Sequence, residues 1–270
     1  LLHSPPPHPR PPPSPVPMQM CEGGPMEVEL LCPVCWEPAS HTPSLPCRCR
    51  VGYCSGCWDR SLAESYNACG QARCPTCRAP VRVDFDAGTG QLVFTQEEEK
   101  GLEEELCRLP LEQRCRVRSR VARERLIQQA RPAQVDILQK YGKAQPWLRT
   151  GAEGAASDPW CARAARAPPR CVCGGLLERL SSADRVRRVF RRHWPDALPD
   201  SPRFEESVAR VIEQKVSFCS CDLCYESIIP PGYVWTCENG NQTILHANAY
   251  DICENCFIGH AAGDAELPVS

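Results

Sequence analysis

Apolar residues along this chain form short, separated stripes in place of the long ones that a single large core requires. Trp58, Leu62 and Tyr66 recur four residues apart and predict a helix with one apolar face. Val186, Val189, Phe190 and His193 share a face in a second predicted helix, capped by Ser182, running through His193 and stopped by Pro195. Phe204, Val208, Val211, Ile212 and Lys215 follow helical spacing over 203–217. Residues 95–130 also predict helix, broken near Pro110, with a thin apolar stripe. It carries first acidic residues (Glu97, Glu98, Glu99) and then basic ones (Arg114, Arg116, Arg118), which is the pattern of a solvated helix. Apolar runs such as Leu30–Leu31 and Ile228–Ile229 fall far short of a membrane span.

Composition sharpens this picture. With 28 prolines, 21 cysteines and only 6 Phe, 6 Tyr, 6 Trp and 3 Met, the chain suits small modules joined by poorly ordered segments. Residues 1–28 read as a disordered Pro-rich tail, 95–141 as a charged helical region, 142–180 as linker, and 181–217 as Arg-rich and amphipathic helices. An odd cysteine count excludes complete disulfide pairing, and residues 1–17 lack the apolar stretch of a signal peptide. Cys-x-x-Cys pairs in such a chain are expected to bind metal in the cytoplasm or nucleus. The sequon at Asn241 is then without consequence. A net charge of −2 gives no bulk attraction to nucleic acid, and no membrane partner is expected.

Two cysteine-rich islands carry the chemistry. The first, within 29–83, reads Cys32-x2-Cys35-x11-Cys47-x-Cys49-x4-Cys54-x2-Cys57-x16-Cys74-x2-Cys77. Four close pairs suffice for two tetrahedral sites. Zinc suits soft thiolate ligands without redox chemistry, and it supplies the stability that so small a segment cannot draw from a core. The pattern resembles the RING finger family, and 46–58 is similar to the all-cysteine RING of the CCR–NOT complex's ubiquitin ligase subunit. The resemblance implies interleaved pairs. Cys32, Cys35, Cys54 and Cys57 would hold one zinc, and Cys47, Cys49, Cys74 and Cys77 the other, with Cys49 in place of the usual histidine. It also implies that Val34, Trp58 and Pro75 contact a ubiquitin-conjugating enzyme charged with ubiquitin. Arg78 would be the linchpin that hydrogen-bonds both, a role suited to a guanidinium fork. No covalent catalytic residue is implied; the module orders a thioester made elsewhere.

The second island, 218–262, pairs Cys221-x2-Cys224 with Cys253-x2-Cys256. With Val234-Trp-Thr-Cys237 and Tyr250-Asp-Ile-Cys253, it resembles the ZZ-type zinc finger. The likeness departs at a second metal site. Gly240 stands where the family has a cysteine, and the closing histidine pair is reduced to His260. Cys237, His246 and His260 are candidate ligands there, with Cys219 in reserve. The island is thus expected to hold one or two zinc ions. The resemblance implies that Asp222 and Asp251 capture the free amine of a substrate peptide. Cys69, Cys107, Cys115, Cys161, Cys171 and Cys173 read as free thiols.

The expected fold class is therefore small zinc-stabilised α+β modules, a cross-brace RING and a ZZ-like finger, joined by helical and disordered segments. The function this implies is a RING-type ubiquitin-protein transferase acting on a substrate protein. A non-catalytic zinc-finger adaptor is the alternative. RNA binding through the Arg-rich helix 183–193 is a further one, against which stand the absence of stacking aromatics and the net acidity.

Overall fold

The computed structural model describes residues 31–39, 42–96, 108–145, 158–194 and 201–263. The Pro-rich tail and the acidic stretch Glu97–Glu105 lie outside these residues.

In the N-terminal module, helix α1 (Ser55–Cys69) buries Trp58, Leu62, Ala63 and Tyr66. This is the face that their spacing predicts. It stops at Gly70, whose φ of 71° places it in the left-handed region, with its N–H bonded to Tyr66 O at 2.7 Å. A hairpin follows: β1 (Val81–Asp86) pairs antiparallel with β2 (Gln91–Gln96), with Val81 opposite Gln96 and Asp86 opposite Gln91. Val81, Val83 and Phe85 alternate inward, as period-two sterics require. Asp86 closes the turn by accepting from Gly88 N and Thr89 Oγ1, both at 2.9 Å. The hairpin carries the module to residue 96, beyond its expected end at 83, and makes 95–96 strand where helix was expected.

Helix α2 (Leu111–Ala144) then runs 34 residues, beginning directly after Pro110 and continuing through Pro132. The expectation of a solvated helix is corrected here. Leu126 and Ala130 are buried against the N-terminal core, while Ile127, Val135 and Leu138 are buried against the C-terminal one. The stripe looks thin in sequence because it is two stripes, each serving a different module. Arg125 Nε meets Asp84 at 3.1 Å and Gln129 Oε1 accepts from Phe85 N at 2.8 Å on one side. Gln134, fully buried, donates to Arg170 O at 3.2 Å and accepts from Val172 N at 2.7 Å on the other.

The presumed linker, 142–180, is structured where it is described. Helix α3 (Asp158–Arg166) places Cys161 and Ala164 in the C-terminal core. A tight loop, bridged at Arg170 and Leu176, leads into β3 (Glu178–Ser181). Helix α4 (Ser182–His193) is capped by Ser181, whose Oγ accepts from Asp184 N at 3.1 Å, one residue earlier than predicted. Helix α5 (Pro202–Glu213) is capped by Ser201 and ends before Lys215, which is left-handed (φ 50°). The short strands β4 (Cys219–Ser220) and β5 (Ser227–Ile228) pair with one another. Strands β6 (Tyr233–Cys237) and β7 (Tyr250–Cys253) complete a three-stranded antiparallel sheet in the order β3-β6-β7. Helix α6 (Glu254–Ala262) packs Phe257 on Trp235 with ring centroids 3.9 Å apart, and approaches α2 at Gly142, where any Cβ would lie 1.7 Å from Ala261 O. No described helix is long and apolar enough to cross a membrane.

Candidate metal centres

One backbone device recurs at three of the Cys-x-x-Cys turns. Cys32 N donates to Glu37 O and Trp36 N to Cys32 O, both at 2.8 Å. Cys74 with Ala79 and Arg78, and Cys221 with Glu226 and Tyr225, repeat the pair of bonds. In each, the residue after the second cysteine is left-handed: Trp36 at 61°, Arg78 at 59° and Tyr225 at 62°. A fourth turn, Cys171-Val-Cys173-Gly174, is one residue shorter. Cys171 N donates to Gly175 O and Gly174 N to Cys171 O, and Gly174 takes the left-handed position at 85°. This internal repeat is invisible in the side chains because three bulky residues stand where glycine is usual.

These turns gather four ligand groups, each with all its ligand atoms within 4.8 Å of one another. The N-terminal module holds Cys32, Cys35, Cys54 and Cys57 in one, and Cys47, Cys49, Cys74 and Cys77 in the other. The C-terminal module holds a third group, Cys171, Cys173, Cys237 and His246, and a fourth, Cys221, Cys224, Cys253 and Cys256. Separations within them are 3.8 Å (Cys35–Cys54), 3.6 Å (Cys47–Cys74), 3.9 Å (Cys224–Cys253) and 3.7 Å (Cys173–Cys237) between sulfurs. His246 Nε2 is 3.5 Å from Cys171 Sγ. Tetrahedral zinc with bonds of about 2.3 Å to sulfur and about 2.0 Å to nitrogen requires edges of roughly 3.8 Å and 3.5 Å. The donor chemistry and the geometry both fit zinc.

Backbone N–H groups also aim at several of the sulfurs. Backbone N–H groups of Leu223 and Cys253 point at Cys221 Sγ (3.4 and 3.3 Å), that of Cys256 at Cys253 Sγ (3.4 Å), and that of Gly175 at Cys173 Sγ (3.4 Å). Burial pushes the Cys32 thiol up, but N–H donors from Cys35, Cys54 and Val34 outweigh it and hold the group at about 6. The backbone of Ala79 and the neighbouring Cys49 hold Cys77 at about 7.

The third group corrects the expectation that Cys171 and Cys173 are free thiols. Its ligands come from the loop before β3, the end of β6 and the loop before β7. Gly240 explains why. A Cβ there would lie 1.9 Å from Asn248 O, so no cysteine fits at the position where the ZZ pattern places one. Gly175, whose Cβ would be 2.8 Å from Cys237 Sγ, instead lets the 171–175 turn approach and supply two sulfurs. The signal in the sequence was a deficit: Cys237 and His246 left two ligands wanting, and Cys171-x-Cys173-Gly-Gly repeats the Cys-x-Cys of the first island. His260 is buried on α6, and neither it nor Cys219 belongs to a group.

The other expected site residues fall out unevenly. Val34, Pro75 and Arg78 are exposed. Trp58 is 0% exposed, packed against Tyr53 and edge-on to Phe94 of β2, so it offers no docking surface. Asp222 and Asp251 are also buried and already engaged. Arg185 grips Asp251 through Nε and Nη2 at 2.9 and 2.8 Å, with the Thr236 hydroxyl beside it. Asp222 accepts from Arg123 Nη2 at 3.2 Å and from Asp251 N at 2.7 Å. Burial pushes the Asp222 carboxyl up to about 7 against the pull of Arg123. Neither carboxylate is open to a peptide amine; together they tie α2 and α4 to the segments that carry Cys221, Cys224, Cys253 and Cys256. The arginines of α4 are likewise engaged: Arg187 with Glu205 (2.8 Å), Arg188 with Glu178 and Glu238 (2.7 and 2.9 Å), and Arg192 with Glu238 (3.6 Å).

Comparison of the chain with protein-family models, with curated proteins and with solved structures gives no match.

Proposed function

We propose that the chain is a zinc-dependent RING-type ubiquitin ligase whose N-terminal module recruits a charged ubiquitin-conjugating enzyme. The observation that carries this reading is the interleaving of the first four cysteine pairs, first with third and second with fourth. That cross-brace makes a rigid frame from which Val34, Pro75 and Arg78 project. Trp36, 75% exposed on the turn that carries Val34, takes the aromatic role that buried Trp58 cannot. A few apolar anchors on a rigid frame suit a weak, transient interface. Zinc, when bound, supplies only structure; Arg78 would orient the ubiquitin thioester through its guanidinium fork.

The test is autoubiquitination by zinc-loaded protein across a panel of conjugating enzymes, beside Val34→Ala, Trp36→Ala and Arg78→Ala. Transfer by the wild type, falling at least tenfold in Arg78→Ala with zinc content unchanged, supports the reading. Modified sites should fall among Lys100, Lys140, Lys143 and Lys215 or the amino terminus. A wild type inert across the panel overturns it and leaves the adaptor reading.

A further inference from the structure

The loop between Cys237 and Tyr250 belongs to both modules at once. Its His246 completes the third ligand group. Its Ile244, Leu245 and Ala247 are buried in the N-terminal core, in the same cluster as Trp58 and Leu62. Apart from a single 3-10 turn at Asn239–Asn241, the loop has no regular structure of its own. Its two ends are pressed together at Gly240 and Asn248. It is gripped from the N-terminal side by Asp59 on α1, which accepts from Ile244 N at 2.7 Å and from the Thr243 side chain. On the opposite side, Val172 and Cys173 pack against both cores. The loop therefore has two anchors: a ligand group it shares with the C-terminal sheet, and a carboxylate that belongs to the N-terminal helix.

We propose that metal at the third group is the tie that completes the N-terminal module, and that Asp59 is the positioning residue that presents His246 to that metal. No ligand of this group lies on α1, so the coupling passes through the loop. Metal fixes His246 and Cys237, the loop between and around them sets Ile244 and Leu245 into the N-terminal core, and α1 packs on them. Coupling of this kind is reciprocal: what Asp59 does for the metal, the metal does for α1. The N-terminal frame is then not autonomous, and whatever docks on it senses occupancy of a site in the other module. A cleft of about 860 Å³, lined by Gly56, Asp59, Phe94, Cys173, Thr243 and Leu245, opens beside the group at Cys173.

The experiment uses the full chain loaded with cobalt(II), whose visible spectrum separates a site of three sulfurs and one nitrogen from all-sulfur sites. In Asp59→Ala, a competing chelator should strip the nitrogen-containing site at about tenfold lower concentration, as loss of an orienting partner typically does. The all-sulfur signal should stay as in wild type, and Asp59→Asn, which keeps an acceptor for Ile244 N–H, should restore most of the affinity. In His246→Ala, amide hydrogen exchange along α1 should accelerate at least tenfold while the eight N-terminal cysteines keep their metal. The proposal is overturned if Asp59→Ala holds that site within twofold of wild type. It is equally overturned if His246→Ala loses the metal yet keeps wild-type protection on α1. Should His246→Ala fail to fold, the Asp59→Ala titration alone decides. Neither readout involves ubiquitin transfer, so this proposal and the ligase reading fail separately.

Discussion

The two modules reach the same turn chemistry by different routes. The N-terminal one draws all eight ligands from residues 32–77. The C-terminal one draws its eight from 171–256, and its third group joins sulfurs 64 residues apart to a histidine 75 residues from its partner. The polar links differ in the same way. Those of the N-terminal module are half-exposed: Arg82 on Asp84 has 48% and 23% side-chain exposure. The C-terminal module has part-exposed pairs on α4 as well, but its innermost link is sealed: Arg185 and Asp251 stand at 4% and 6%. The described ion pairs of the module assembled from neighbouring ligands all keep some exposure to solvent. A module assembled from distant segments needs further cross-links to fix their arrangement, and it places the innermost in its interior.

The largest effect expected from this difference is at Arg185. Arg185→Met leaves the Asp251 carboxyl buried beside the Thr236 hydroxyl and the Cys219 thiol with its arginine gone. Removing one member of a buried pair typically costs about 3–5 kcal/mol. Thermal unfolding with zinc in fixed excess should show it as a lowered midpoint, and Arg185→Met/Asp251→Asn should recover part of the loss. A cost no greater than that of a half-exposed pair would erase the distinction between the modules.

The same contrast governs what was legible in the sequence. Ligands in matching close pairs, two or three residues apart, announce themselves, so the N-terminal eight and the Cys221–Cys256 group are legible by spacing, and the RING resemblance sorts the N-terminal eight into two groups. The faces of α1 and α5 were legible too, because a helix that packs on one neighbour carries one stripe. Helix α2 was misread because two neighbours split its stripe, putting Leu126 and Ala130 on one side and Ile127 and Leu138 on the other. Cys171 and Cys173 were missed because nothing local couples them to Cys237. The hairpin at 81–96 has a local signal too, since Val81, Val83 and Phe85 alternate and Asp86–Gly90 is a turn. Asp222 and Asp251 were assigned to a ligand because sequence shows a carboxylate but not the arginine that covers it.

Gly240 sharpens the point about distant ligands. If the third group took its sulfurs from Cys171 and Cys173 only by chance, Gly240→Cys would restore the local pattern and strengthen metal binding. The geometry predicts the reverse. The new Cβ would overlap the backbone of Asn248, two residues from His246. Overpacking of this kind costs about 1–3 kcal/mol. Gly240→Ala and Gly240→Cys should therefore lower the unfolding midpoint alike, and neither should bind more than the wild-type number of zinc ions.

The smallest effects should separate the two sides of α2. Arg125 meets Asp84 at 3.1 Å and Val83 O at 3.1 Å, with 30% of its side chain exposed. Solvent screens such a pair, so Arg125→Ala should cost no more than about 1 kcal/mol. Gln134 lies on the same helix but is fully buried, and Gln134→Leu strands the Arg170 carbonyl and the Val172 N–H inside the protein. Unmet buried groups cost about 1–3 kcal/mol. Salt tells the two mechanisms apart. Between about 0.1 M and about 1 M the Debye length falls from about 10 Å to about 3 Å, so the Arg125→Ala penalty should shrink and that of Gln134→Leu should not. Equal penalties with equal salt response would mean that α2 is held alike by both modules, and the contrast between locally and distantly assembled halves would stop at the metal ligands.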